Sequence, residues 1–426
     1  MSLRFPEDFL FGVATSAYQV EGDNRNADWW EWEERGAVKH RCGKACNHWE
    51  MYREDIELMA RIGVNAYRFS IEWSRLFPSP NKLDYGALQR YREIIALLRK
   101  HGIEPMITLH HFTNPKWFAE RGGWKRGENV EYFAKFVEVV ADEFRDVRLW
   151  VTINEPNVYA YMGFIQGVWP PGIRNPRVAD VVLQNLVEAH ARAYEILRNR
   201  GLVGIAQNLV WFVPKSGSRL DAAAKKRVEE VWNWGFINAV LRGELRGFAG
   251  RYRVRESGLD FVGINYYTAM RVGHSWNPLK AFLDVAPLES PLRSTMGYYI
   301  HPRGILEVAR DCWRVVEERI PIYVTENGFA VERDEDRAKA LVQHLCYLHK
   351  ALSEGIEIKG YFYWSLLDNY EWDKGYTQRF GLVEVDFTTF ERRVRESAFL
   401  YSRIARSRSV DEDLVKEYCA EVFKSA

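Results

Sequence analysis

The chain has 426 residues, 47% hydrophobic and 27% charged, with a formal net charge of +1. That balance suits a globular protein with ample material for a core. Lys and Arg are dispersed among Asp and Glu, so there is neither a basic stripe for nucleic acid nor a single-sign tail. Aromatic residues reach 14%, with 16 Trp. Such an excess serves either a large core or a pocket for ligands with flat C–H faces, as sugars have.

The start of the chain, MSLRFPEDFLFG, sets Glu7 and Asp8 before a broken apolar stretch and does not read as a signal peptide. No stretch reaches about 18 uninterrupted apolar residues, so no transmembrane segment is expected and the expected location is cytoplasmic. The nearest approach, VYAYMGFIQGVWPPG at 158–172, is uncharged but broken by Gly, Gln and Pro, and reads as a helix end followed by a pocket loop.

Short apolar runs then alternate with segments of helical spacing. In chain order the runs are FLFGV at 9–13, VNAYRFSI at 64–71, PMITL at 105–109 and LWVTI at 149–153. VGIAQN at 203–208, FVGIN at 261–265, IYVT at 322–325 and GYFYW at 360–364 follow. Helical spacing occupies 49–62, 85–101, 130–144, 178–200, 301–319 and 337–353. The mixed-charge stretch AAAKKRVEEVW reads as a solvated outer face. Each apolar run is continuous rather than alternating, as a parallel strand covered on both faces requires. Eight such runs predict an α/β fold, a (β/α)8 TIM barrel forming one domain over 1–426. The alternative, an open doubly wound sheet, usually carries a glycine-rich turn after its first strand, and ATSAYQVEG lacks one.

Five cysteines, an odd and small number, predict buried structural thiols rather than a disulfide framework. Cys42-x3-Cys46-x-His48 looks like half a metal cluster, but no second cluster completes four ligands, so no metal is expected.

In a parallel barrel the C-terminal strand ends form the active face. The polar residues there are Gln19, Glu21, Arg68, His110, His111, Asn154, Glu155, Asn208, Asn265, Tyr267, Glu326 and Glu371, with Trp372 beside the last. Stability does not require them, whereas a polyhydroxylated ligand does. His110 and His111 are adjacent, so their side chains should point apart rather than share a metal. Glu155 lies in VTINEP, where Pro156 ends strand pairing, and Glu326 in VTENG, where Asn-Gly turns the chain away. Two carboxyls on one barrel face point to glycoside hydrolysis.

The segments FLFGVATSAYQVEG, NAYRFSIEWSR, TLHHFTNP, TINEP, GINYY, VTENG and YFYWSLLDNYEWDKGYTQRFGLVEVDF resemble glycoside hydrolase family 1, and they run through nearly the whole chain. The resemblance implies a retaining β-glycosidase without cofactor, acting on a small-molecule glycoside, with Glu155 as acid/base and Glu326 as nucleophile. It implies Asn154 as donor to the sugar 2-hydroxyl, and Gln19, His111, Glu371 and Trp372 as glycone-binding residues. Trp364 is implied as the platform beneath the ring, Arg68 and Tyr267 as the pair positioning the nucleophile, and Asn265 as a supporting residue. The family segment reads His-Trp where this chain has His111-Phe112, which alters one wall, and the chain's shortness implies trimmed loops at the aglycone end. A predominantly transglycosylating enzyme and a catalytically silent sugar-binding barrel remain alternatives, and homo-oligomer formation stays open.

Overall fold

The eight continuous apolar runs become eight strands in a computed structural model that describes residues 2–277, 281–420 and 422. They are β1 (Leu10–Ala14), β2 (Ala66–Ser70), β3 (Glu104–His110), β4 (Leu149–Asn154), β5 (Leu202–Pro214), β6 (Phe261–His274), β7 (Ile322–Asn327) and β8 (Ile358–Trp364). Each pairs in parallel with its neighbour in sequence, and β8 pairs with β1, so the sheet closes on itself.

The principal helices between them are α1 (His48–Ile62), α2 (Tyr85–Lys100), α3 (Val130–Glu143), α4 (Pro176–Leu197), α5 (Arg219–Trp232), α6 (Arg303–Val315), α7 (Asp334–Ser353) and α8 (Glu396–Ser407). Their buried residues recur at helical spacing, as Phe133, Phe136, Val137 and Val140 do in α3, and pack on the outside of the barrel. Alternate strand residues turn to the axis. There Ala14, Ala66, Met106, Val151, Ala206, Phe261, Phe362 and Trp364 form a separate inner cluster.

Helix boundaries depart from apolar spacing where caps decide them. Asn175 accepts hydrogen bonds from the N–H groups of Arg177 and Val178, so α4 starts at Pro176 rather than 178. Asp334, Glu335 and Asp336 occupy the first turn of α7, where negative charge meets the positive end of the helix dipole, so it begins before 337. β5 and β6 also run past the predicted ends. Beyond the barrel their extensions pair with each other, and Leu283–Pro287 adds antiparallel to β6. Phe212 and Val272 on these extensions pack against Ala224 of α5. The segment 158–172 is a helix (Pro156–Tyr161), a π-helical turn (Met162–Gln166) and a loop carrying Trp169.

The cysteine expectation needs correction. Cys346 on α7 and Cys419 near the C-terminus form a disulfide, with Cα atoms 6.6 Å apart and a sequence separation of 73. Composition missed it because one bridge closing a long loop leaves no spacing pattern. Cys42, Cys46 and Cys312 are free and buried. The Cys42/Cys46/His48 set diverges: the two thiols donate to the carbonyls of Tyr18 and Asp368, while His48 pairs with Asp55. No helix among the described residues is long and apolar enough to cross a membrane.

Candidate active site

Strict alternation along β4 would not aim two successive residues into the barrel mouth. The register breaks there: three steps along β4, from Val151 to Asn154, match two along β5, from Gly204 to Ala206. The same happens on β7, where Val324 to Glu326 spans Ile264 to Asn265 on β6. Bulges of this kind re-aim side chains, and here they deliver Asn154, Glu155 and Glu326. Glu155 takes a left-handed backbone, φ 44°, as do Phe112 at 73° and Trp372 at 47°. Non-glycine residues avoid this region at a cost of order 1–3 kcal/mol each, and surrounding structure must hold them. After Glu326 the chain passes so close to β8 that a Cβ on Gly328 would lie 1.5 Å from the Trp364 carbonyl oxygen. Close approach, rather than a turn preference, therefore requires that glycine.

Arg68 lies inside the barrel, 1% exposed, and organises the floor. One Nη donates to Glu326 Oε1 at 2.7 Å, the other to Asn154 Oδ1 at 2.6 Å, and Nε to Thr108 Oγ1 at 3.1 Å. Tyr267 donates to the second oxygen of Glu326 at 2.7 Å. The Asn265 amide donates to Asn154 Oδ1 at 3.1 Å and to Glu155 Oε1 at 3.0 Å. One amide thus ties Glu155 to the Asn154 that Arg68 holds.

These bonds fix protons further out. Guanidinium only donates, so Asn154 must turn its oxygen to Arg68 and its N–H2 towards Nε2 of His111, 3.1 Å away. Nε2 is then an acceptor and the ring is neutral with its proton on Nδ1. Burial, the Arg68 charge and His110 all hold His111 well below the usual histidine range, in keeping with a neutral ring. Its Nδ1 is buried without a protein partner, which leaves a donor for a ligand oxygen. His110 points the other way, to Asn114 and Trp124, as adjacency predicts.

Three carboxyl groups face the site, and the Arg68 guanidinium pairs with one of them, Glu326. Burial, and then the charge of Glu326, pushes Glu155 up to about 8. Burial, Glu326 and Asp373 push Glu371 up to about 8 as well. Burial raises Glu326 too, but Arg68 and Tyr267 oppose it by favouring the charged form. Of the two, the arrangement therefore favours the charge on Glu326 and the proton on Glu155.

The far end of the site is built from the 369–372 segment. Gln19 donates to Glu371 at 3.2 Å and to the Tyr370 carbonyl at 2.8 Å, and Ser16 donates to its oxygen at 2.6 Å. Trp364 and Trp372 lie nearly parallel to the His111 ring at 5.8 and 6.4 Å. Phe112 packs on Trp372 and Trp169, with centroids at 5.2 and 4.9 Å, so this wall has an apolar edge without an indole N–H.

The structure thus brings together Gln19, Arg68, His111, Asn154, Glu155, Asn265, Tyr267, Glu326, Trp364, Glu371 and Trp372. Glu21 is not among them, because Tyr91, Arg75 and Asn24 use up its carboxylate. Sequence reasoning left out Trp169, whose indole donates to Asp373 at 2.9 Å. It also left out Trp232, which ends the helix read as a solvated face yet donates to Asn208 at 3.1 Å. Neither carried a strand-end signal.

The glycosyl hydrolase family 1 profile matches residues 1–410. Beta-glucosidase A of Thermotoga maritima is 36% identical, covering 96% of this chain and 99% of its own. A beta-galactosidase of Sulfolobus acidocaldarius is 30% identical, covering 97% of each. Among solved structures, a beta-glycosidase from Pyrococcus horikoshii superposes with a TM-score of 0.95 at 49% identity, covering 98% of each chain. The family 1 b-glucosidase of Thermotoga maritima superposes with a TM-score of 0.88 at 34% identity, covering 96% of this chain and 100% of its own. The chain belongs to glycosyl hydrolase family 1 and is a glycoside hydrolase.

Proposed function

We propose that the protein is a retaining, exo-acting β-glycosidase for neutral β-D-glucosides, with galactosides and fucosides as further substrates, working by double displacement. Glu326 attacks the anomeric carbon while Glu155 hands its proton to the departing oxygen. The sugar is then esterified to Glu326, and Glu155, now ionised, takes a proton from the attacking water. Asn154 donates its remaining amide hydrogen to the 2-hydroxyl. His111 Nδ1, Gln19 and Glu371 hold other hydroxyls, and Trp364 and Trp372 offer flat faces to the C–H side.

The observation that supports this reading is the pair of buried glutamates, one held by Arg68 and Tyr267 and the other bonded only by the amides of Asn208 and Asn265. Neutral substrates are favoured because Glu371 stands among the hydroxyl-binding groups, while Arg68 is consumed by Glu326 and Asn154. A phosphorylated sugar would bring negative charge without a counter-ion. The relatives named beta-glucosidase and beta-galactosidase support glucosides and galactosides as glycones.

Azide tests the roles. Glu326→Gly should be nearly inactive, and azide should restore turnover of an activated β-glucoside as the α-glycosyl azide. Glu155→Ala with azide should give the β-glycosyl azide. Swapped products would reverse the assignment.

A further inference from the structure

The two oxygens of Glu155 keep different company. Oε1 accepts from the Nδ2 atoms of Asn208 and Asn265, both at 3.0 Å. An amide N–H2 donates and never accepts, so Oε1 is held as the acceptor and the acid's proton belongs on Oε2. Which end of each amide faces Glu155 is decided one neighbour further away. Thr325 donates to the oxygen of Asn265 at 2.7 Å, but a hydroxyl is able to reverse its role. Trp232 donates to the oxygen of Asn208 at 3.1 Å, and an indole N–H cannot accept. Asn208 is only half-buried, so packing alone does not hold its amide.

Trp232 is itself well anchored. Its carbonyl accepts from Asn157 at 3.0 Å and from Gln207 at 2.9 Å, and its ring meets Tyr161 edge-on at 5.4 Å. We propose that Trp232 is a positioning residue for the acid/base: by fixing the Asn208 amide it keeps Oε1 of Glu155 unprotonated and presents the proton on Oε2. The inference rests on the acid/base reading of Glu155. In the first step that proton passes to the glycosidic oxygen as its bond to C1 breaks and the bond from C1 to Glu326 forms. Without the indole N–H, Asn208 is free to turn its oxygen towards Oε1 and draw the proton to the wrong side.

The test is kcat/KM along a series of β-glucosides running from a dinitrophenyl to a simple alkyl leaving group, for wild type, Trp232→Phe, Asn208→Ala and Glu155→Ala. Leaving groups that depart readily as anions need little help from an acid. The Trp232→Phe loss should grow along the series to about five- to tenfold at the alkyl end, the worth of one hydrogen bond. The basic limb of kcat/KM should move to higher pH, because the Asn208 donor favours the ionised carboxyl. Asn208→Ala should reproduce both effects, and Trp232→Phe should add less than about twofold in that background. A loss equal for all substrates, an unmoved basic limb, or additive losses would overturn the inference. Glu155→Ala separates the two layers: its loss should climb by about a hundredfold or more along the series. If it does not, the acid/base reading itself fails. If it does while Trp232→Phe stays flat, the positioning role alone fails.

Discussion

Replacing Glu155 by Gln should make the protein more stable at alkaline pH than at acid pH, relative to wild type. Burial and Glu326 raise the Glu155 carboxyl from 4.5 to about 8. A raised carboxyl favours the protonated form in the folded state, so the native protein binds more protons than the unfolded chain between these values. Stability from this group is then complete below about pH 4.5 and is lost as pH climbs through about 8. Across that interval the loss is about 4 to 5 kcal/mol for an isolated group, an upper figure because neighbouring carboxyls titrate with it. Glutamine keeps Oε1 as an acceptor for Asn208 and Asn265 and has nothing to ionise. Urea unfolding at pH 5 and pH 9 gives a double difference in which packing changes common to both pH values cancel. The expected double difference is about 2 to 5 kcal/mol in favour of the variant at pH 9. A value within about 0.5 kcal/mol of zero would mean that Glu155 is not held protonated, and the division of roles between the glutamates would lose its basis.

Arg68→Met should lower kcat/KM by about a hundredfold or more, since breaking a buried pair costs roughly 3–5 kcal/mol. It should also move the acid limb of the pH profile upward, because Glu326 loses the contact that favours its charge; an unmoved limb would count against Glu326 as the ionised partner. Gly328→Ala should cost at least about 3 kcal/mol or abolish folding, read by thermal unfolding, because its Cβ would lie 1.5 Å from a backbone oxygen on β8. Cys346→Ser should lower stability by about 2–4 kcal/mol in non-reducing denaturant, with the difference shrinking in reductant.

The barrel was legible because its strands are buried on both faces, which leaves continuous apolar runs such as LWVTI and IYVT. These two lie inside observed strands. The extensions of β5 and β6 were not legible, because outside the barrel their exposure alternates and the apolar run dissolves. Glu155, Glu326 and Arg68 were legible as polar residues at the ends of such runs. Their environments were not. The bulges that aim Asn154 and Glu155 arise from a mismatch between two strands, and one strand's residues do not encode it. Trp232 stayed hidden for a different reason. It closes a mixed-charge helix whose periodicity describes the exposed face and says nothing of which neighbour the last residue meets. Glu21 was over-read in the opposite direction, since it also follows a strand but is spent on Arg75 and Tyr91.

On the double displacement proposed above, the pairing of Arg68 with Glu326 alone would also explain how two chemically identical side chains exchange roles during a turnover. In the free enzyme the charge on Glu326 helps to hold the proton on Glu155. Esterification of Glu326 removes that charge, so the group that had to be an acid loses much of its reason to keep a proton just when a base is needed. At roughly 5.5 Å and an effective dielectric constant near 20, the lost repulsion is about 3 kcal/mol, or about two pH units. Burial is the larger cause of the raised value and stays in place, so Glu155 falls towards the ordinary carboxyl range without reaching it. A group left near neutrality takes a proton from water in the second step and is reprotonated when Glu326 is freed. On that proposal the cycle needs no second base: the covalent bond to the sugar is itself the switch, and Arg68 is the fixed charge against which it works.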